Sequence, residues 1–148
     1  MPILFENASD FACPERELTA LAAHTINYMK LDERVELSIL AVDEEEMERL
    51  HIEWMDEPGP TDVLSFPIDE LRAGQEYVEG KSTLGDVVLC PSVAQQQAEQ
   101  AGHSVNVELH TLLVHGILHL MGFDHAEPEE EAEMFGLQSK IIADWKVS

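Results

Sequence analysis

Three histidines and a glycine constrain this chain more tightly than any other feature. They lie in the segment HGILHLMGFDH, positions 115–125, spaced H-x-x-x-H-x-x-G-x-x-H. On an α-helix, residues four apart project from the same face, one turn up. A helix through this segment therefore aims His115 and His119 at one point. Gly122 can take the left-handed conformation that ends a helix abruptly. The chain then turns back through Phe123 and Asp124, and His125 returns to the same point. Three nitrogen ligands suit one Zn2+ ion and leave a fourth position open, the arrangement of catalytic rather than structural zinc sites. A bare histidine pair at this spacing is more often packed core; Gly122 and His125 tip the reading to a metal site.

The metzincin zinc proteases space their ligands in the same way, but their motif begins H-E-x-x-H, with the glutamate as general base. Gly116 stands at that position here, which excludes the usual protease mechanism. Zinc lowers the pKa of bound water to about 7 unaided, and a carboxylate from elsewhere can manage the proton. Asp62, Asp86 and Asp124 are the candidates. Each also has a plainer role open to it: Asp62 as a turn cap, Asp86 at the start of a strand, Asp124 in shaping the loop. A helical wheel groups Glu108, Leu112, His115, His119 and Gly122 on one face. It groups Val107, His110, Val114, Ile117 and Met121 on another, so His110 is expected to be packed rather than metal-bound. Glu108 lies about 10 Å along the axis from His115, too far to share the ion. His24, His51 and His103 fall in polar or amphipathic settings and are expected at the surface.

Around this segment, strand and helix patterns alternate and then give way to helices. PILFEN reads as a short strand. PERELTALAAHTINYMK carries Leu18, Leu21, Ala22, Thr25, Ile26 and Met29 at helical spacing, with Pro14 suited to the first turn. RVELSILAVD is apolar and β-branched, as a buried strand requires. Asp43 is placed to cap EEEMERLHIEWM, whose Met47, Leu50 and Trp54 form one stripe, and DEPGP breaks that helix. TDVLSFP and LGDVVLC are strands joined by the loop IDELRAGQEYVEGKST. Pro91 opens the helix PSVAQQQAEQA and Gly102 stops it. Ser104 is placed to cap VNVELHTLLVHGILHLM, and PEEEAEMFGLQSKIIADW is amphipathic through Met134, Leu137, Ile141 and Trp145. The first strand–helix–strand unit favours parallel pairing. The expected fold is α+β: a small mixed, partly parallel four-stranded sheet packed with about five helices, one of them a metzincin-like zinc-binding helix. No repeat, low-complexity tract or Gly/Ser linker divides the chain, so residues 1–148 are expected to form one domain.

Composition narrows the setting. A chain of 148 residues with 45% hydrophobic content can bury a real core. No apolar run approaches the roughly 18 residues that span a bilayer, so no membrane partner is expected. The start, MPILFENASDF, lacks the basic and apolar regions of a signal peptide. Cys13 and Cys90 have no framework spacing and are expected as reduced thiols in a cytoplasmic protein. Thirty acidic residues against eight basic ones give a formal charge of −22. Such a field repels nucleic acid and anionic membranes at long range. A metal dication and a local basic patch override it at contact.

Taken together, HGILHLMGFDH, PTDVLSFP and LGDVVLCPSVA resemble the bacterial YbeY family of rRNA maturation factors, in an actinobacterial-like variant. The resemblance runs from about Val35 to the C-terminal helix, with the motifs in the family's order and spacing. It implies a small α+β fold and one zinc bound by His115, His119 and His125. It also implies a metal-dependent, single-strand-specific endoribonuclease in small-subunit rRNA maturation and ribosome quality control. Ribosomal RNA would be its substrate and the ribosome its partner; the negative charge, for its part, suits a basic ribosomal protein or a GTPase rather than bare RNA. One position departs from the family: an arginine that commonly precedes PTDVLSFP is Met55 here, after Trp54, and His51 stands where asparagine is frequent. An arginine there would bind phosphate bidentately and stabilise developing charge; methionine does neither. Arg34, Arg49, Arg72 or Lys81 would have to substitute from elsewhere. Two other readings stand beside this one: a zinc hydrolase of a peptide or small ester, and a non-enzymatic ribosome-assembly factor with a structural zinc.

Overall fold

The computed structural model describes residues 2–147. Among them are four strands and five helices in the order β1 (Ile3–Asn7), α1 (Glu15–Tyr28), β2 (Glu36–Ala41), α2 (Glu44–Met55), β3 (Val63–Pro67), β4 (Thr83–Leu89), α3 (Pro91–Ala101), α4 (Val105–Leu120) and α5 (Pro128–Val147). The strands form one sheet in the order β1-β2-β4-β3. β1, β2 and β4 run parallel; α1 crosses from β1 to β2, and the chain reaches β4 from β2 through α2, β3 and a loop, with β3 paired antiparallel to β4 at the edge. This is the expected α+β arrangement with a mixed, partly parallel sheet.

The two sheet faces are unequally covered. Leu37 and Ile39 of β2 with Val87 and Leu89 of β4 join the main core, where α1, α4 and α5 add Leu18, Leu21, Leu113, Ile117, Met134 and Ile141. The central helix, α4, packs on α1, α3, α5, β3 and β4 and is buried on nearly every side. A helix apolar all round has no stable place except inside a core. On the other face, Val88, Leu64 and Cys90 form a smaller cluster with Met47 beneath α2. That cover is partial. It leaves a groove of about 910 Å³ floored by Leu4, Leu40, Phe66 and Val88, with Glu6, Glu46 and Asp86 among its walls. Trp54 does not complete the buried stripe of α2. It is 60% exposed and stands edge-on to Phe66 at the groove.

Local capping follows the sequence in one place and departs from it in another. The Ser104 hydroxyl accepts the Val107 N–H at 3.2 Å and opens α4. Asp43 occupies the N-cap position of α2 but makes no capping bond. Its Oδ1 accepts the Asp10 N–H at 3.0 Å instead, so a tertiary contact has displaced the local one. Pro14 stands one residue ahead of α1 rather than within it. Two of the histidines expected at the surface are mostly covered. His24 pairs with Asp144 at 2.8 Å, tying α1 to α5, and His51 Nδ1 bonds the Gly59 carbonyl.

His110 is packed, as its wheel position implies. Its ring meets Trp145 edge-on at 5.1 Å. Among the described residues neither ring nitrogen has a hydrogen-bond partner, and Glu17 Oε2 stands 3.6 Å from Nε2. Burial pushes its pKa down, against the pull of Glu17. The folded chain then resists a proton that the unfolded chain accepts near pH 6.5. This stability contribution is present above that pH and is lost as pH falls through the depressed folded value. The urea midpoint of the metal-free protein should therefore drop between about pH 7.5 and about pH 5.5. A His110→Phe variant should drop less.

Candidate metal centre

The site begins with the way α4 ends. Met121 is its C-cap, and Gly122 follows with φ +93°. The Gly122 N–H donates to the His119 carbonyl at 3.0 Å and the Phe123 N–H to the Leu118 carbonyl at 3.1 Å. These paired bonds satisfy the last carbonyls of a helix and need a left-handed residue between them. The chain reverses, and Asp124 Oδ1 fixes the return by accepting the His125 N–H at 2.7 Å. The ring centroids of His115, His119 and His125 lie 4.5, 5.2 and 5.5 Å apart.

One ligand atom from each histidine lies within 4.8 Å of the others. The Nε2 atoms of His115 and His119 face each other at 3.0 Å. With Zn–N bonds of about 2.05 Å, a tetrahedral pair of nitrogens stands about 3.3 Å apart, so the donors fit such an ion. Protonation does not oppose it. Burial pushes His115 and His119 below the ordinary imidazole range, and repulsion among the three rings adds to this. Gln138 and Asp62 pull His115 weakly the other way. The three-histidine group can hold a metal ion.

Sequence reasoning missed two supports, both on α5. Gln138 is buried, and its Oε1 accepts from His115 Nδ1 at 3.0 Å. A proton on Nδ1 leaves the lone pair on Nε2, where the neighbouring imidazole faces it. The signal was available: Gln138 is a polar residue on the apolar stripe of Met134, Leu137 and Ile141. Phe135, 41% exposed, lies nearly parallel to His115 and His125 at 5.9 and 6.4 Å. It limits how far either ring can swing.

A cavity of about 360 Å³ opens onto the histidines, lined also by Met55, Thr61, Asp62 and Ser65, with no lysine or arginine. Of the three candidate carboxylates, Asp62 lies in this cavity. Its Oδ1 accepts the Val63 N–H at 2.8 Å and the Thr61 hydroxyl at 3.3 Å. Asp124 lies on the loop, its Oδ1 taken by the His125 backbone. Asp86 does not join them. Strand side chains alternate; Val87 faces α4, so Asp86 faces the groove on the opposite side. Glu108 is likewise elsewhere, paired with His103 at 2.6 Å.

The possible substitutes for the absent arginine separate clearly. Arg34 is clamped by Asp32, through Nε at 2.8 Å and Nη2 at 2.9 Å, and lies over the Tyr77 ring. Arg49 is held between Glu46 and Glu53. Lys81 does not line the cavity. Arg72 lies over Gly122, beside the loop that carries His125.

Gly116 has a packing reason to lack a side chain. A Cβ there would stand 2.8 Å from Val87 Cγ1, 3.2 Å from Ser65 Oγ and 3.3 Å from Val63 Cγ2. Ser65 Oγ also donates to the Gly116 carbonyl at 3.0 Å. The position that holds the base in metzincins is here the seat of α4 on β3 and β4. Gly116→Ala should lower stability by about 1–3 kcal/mol through overpacking, and Gly116→Glu by more, without creating a base. Urea denaturation of the two variants checks this; a stable Gly116→Glu protein would contradict it.

Comparison with known proteins gives a consistent result. The family model described as Endoribonuclease YbeY matches residues 4–146. An endoribonuclease YbeY of Leifsonia xyli subsp. xyli is 57% identical over 143 residues, covering 96% of this chain and 94% of that protein. One of Acidothermus cellulolyticus is 54% identical over 151 residues, covering 99% and 92%. A solution structure from Thermotoga maritima matches with a TM-score of 0.66 at 24% identity, over 97% of this chain and 88% of its own; it supports the fold alone. With the family model covering nearly every residue and relatives more than half identical along almost their full length, the chain belongs to the endoribonuclease YbeY family.

Proposed function

We propose that the protein is a zinc-dependent endoribonuclease that cuts single-stranded RNA in small-subunit rRNA maturation and ribosome quality control. The observation that carries this reading is the convergence of His115, His119 and His125 on an open cavity in a chain of this family. Three histidine donors suit zinc, as in catalytic zinc sites, and leave a position for substrate. When bound, the ion supplies a Lewis acid that acidifies water and draws charge from a phosphate oxygen. The chain's own groups do the rest. Gln138 holds the His115 proton on Nδ1. Asp62, whose Oδ1 is occupied, keeps Oδ2 to take the proton of the attacking water. Phe135 offers an aromatic face beside the centre, and unpaired bases stack on such faces where paired ones cannot.

The packing of Gly116 weighs against a peptide or ester hydrolase of the metzincin type, because a glutamate has no room there. Ribosomal RNA is the proposed substrate. The groove on the far side of the sheet, apolar in its floor and acidic in its walls, suits a basic ribosomal protein or a GTPase with a basic face. Among the described residues no helix is long and apolar enough to cross a membrane. We place the protein in the cytoplasm and read residues 1–148 as one metal-binding domain.

Protein purified free of host nucleases should cut a defined single-stranded RNA, and His115→Ala should abolish cutting. Cleavage that survives the substitution would overturn the assignment. Gln138→Leu should weaken zinc binding by roughly 10–100-fold in competition with a chelator, and Gln138→Glu should restore it.

A further inference from the structure

The histidine cavity is lined by no lysine or arginine among the described residues, and the molecule as a whole carries a formal charge of −22. An RNA strand brought to this cavity needs a cation close by, and the guanidinium groups differ in what they have free. An arginine grips an oxyanion best side-on, through Nε–H and Nη2–H together. In Arg34 that edge is filled by Asp32, strongly enough to hold the Asp32 carboxyl down to about 2. In Arg49 it is filled by Glu46, at 2.7 and 2.8 Å.

Arg72 is different. Its Nη1 donates to the carbonyls of Glu70 at 2.9 Å and Leu71 at 3.3 Å, while Nε and Nη2 make no hydrogen bond and no ion pair among the described residues. The group is exposed yet held in place. A Cβ on Gly122 would stand 2.8 Å from Cζ, 3.0 Å from Nε and 3.1 Å from Nη1, so the guanidinium rests on the glycine backbone. Gly122 is three residues from His119 and three from His125. Its Cα is therefore no more than about 11 Å from either of theirs.

Resting on the RNA reading above, we propose that Arg72 binds a backbone phosphate flanking the one at the histidine centre, through its free Nε–Nη2 edge. It supplies a phosphate contact on the strand, though not the stabilisation of developing charge that an arginine at position 55 would give. The cavity it borders, about 430 Å³, is otherwise lined by Asp124, Glu130 and Glu133 together with uncharged residues. None of these carboxylates pairs with Arg72, so their repulsion leaves the guanidinium as the one point of attraction for an anion there. Because the phosphate it holds is not the one cleaved, Arg72 contributes binding common to the ground and transition states.

The test uses a short single-stranded RNA and the metal-free full chain, which binds without cutting, with affinity followed by fluorescence anisotropy across a salt series. Arg72→Met keeps an unbranched side chain of similar length and removes the charge and the guanidinium that rests on Gly122. It should weaken binding and lower the slope of log K against log salt by about 0.7, the value of one phosphate contact on a single strand. Arg72→Lys should keep the slope and bind more weakly than wild type, because the bidentate edge is gone. In the zinc-loaded enzyme, Arg72→Met should raise KM far more than it lowers kcat. A folded Arg72→Met protein with the wild-type slope would overturn the proposal. So would an Arg72 Nε–H NMR signal in the wild type that does not move on addition of the RNA, a measurement that needs no variant. Wild-type protein that cuts RNA while Arg72→Met keeps the full slope removes Arg72 alone. Wild-type protein that neither binds nor cuts RNA removes the underlying reading as well.

Discussion

The close seat of α4 on the sheet at Gly116 is the contact on which the rest of the structure depends. Without a Cβ, the helix backbone approaches β3 and β4 until Val87, Ser65 and Val63 fill the space a side chain would need. The Ser65 hydroxyl then reaches the Gly116 carbonyl, a bond between helix and strand that only this separation permits. The same approach puts His115 and His119 over the segment from Thr61 to Ser65, so the wall of the cavity is the edge of the sheet. Interiors packed to crystal density transmit small displacements rather than absorbing them. A one-atom change at residue 116 is therefore felt at the imidazoles on either side of it. The glycine that stands where metzincins carry a base is what seats the ligand helix against the sheet.

A second glycine does two jobs at the other end of the helix. Gly122 takes the left-handed conformation that turns His125 back toward its partners, and its bare backbone is the surface on which Arg72 lies. Any other residue would be strained by the turn and would displace the guanidinium. The metal loop and the cationic group beside it are thus positioned by one residue, although Arg72 belongs to a different part of the chain.

Much of this was legible in the sequence because the signals were local. Helical period marks α1, α3, α4 and α5; β-branched runs mark β2 and β4; and i, i+4 spacing with a following glycine marks the histidine centre. What was not legible required knowledge of pairing. Asp86 seemed as good a candidate as Asp62 until its register with Phe66 and the inward turn of Val87 set it on the far face. Asp43 had the right chemistry for a cap, but a backbone N–H from residue 10 claimed it. Gln138 stands 23 positions from the histidine it holds, a distance no local pattern spans. Trp54 fits the stripe of α2 by spacing, yet it stands at the groove, edge-on to Phe66 and 60% exposed.

The misplacement of Asp86 shows how the molecule manages its charge. Strand side chains alternate with a period of two, so neighbouring residues on β4 belong to different faces. Val87 supports the histidine helix, while Asp86 joins Glu6 and Glu46 around an apolar groove. An acidic protein of an endoribonuclease family faces a conflict, since a formal charge of −22 repels RNA at long range. The sheet divides the problem. Acidic groups line the groove, while on the histidine face a dication held by the three histidines and the Arg72 guanidinium resting on Gly122 would act at distances shorter than the Debye length of about 8 Å. Long-range repulsion then slows the approach of RNA without preventing its capture at contact.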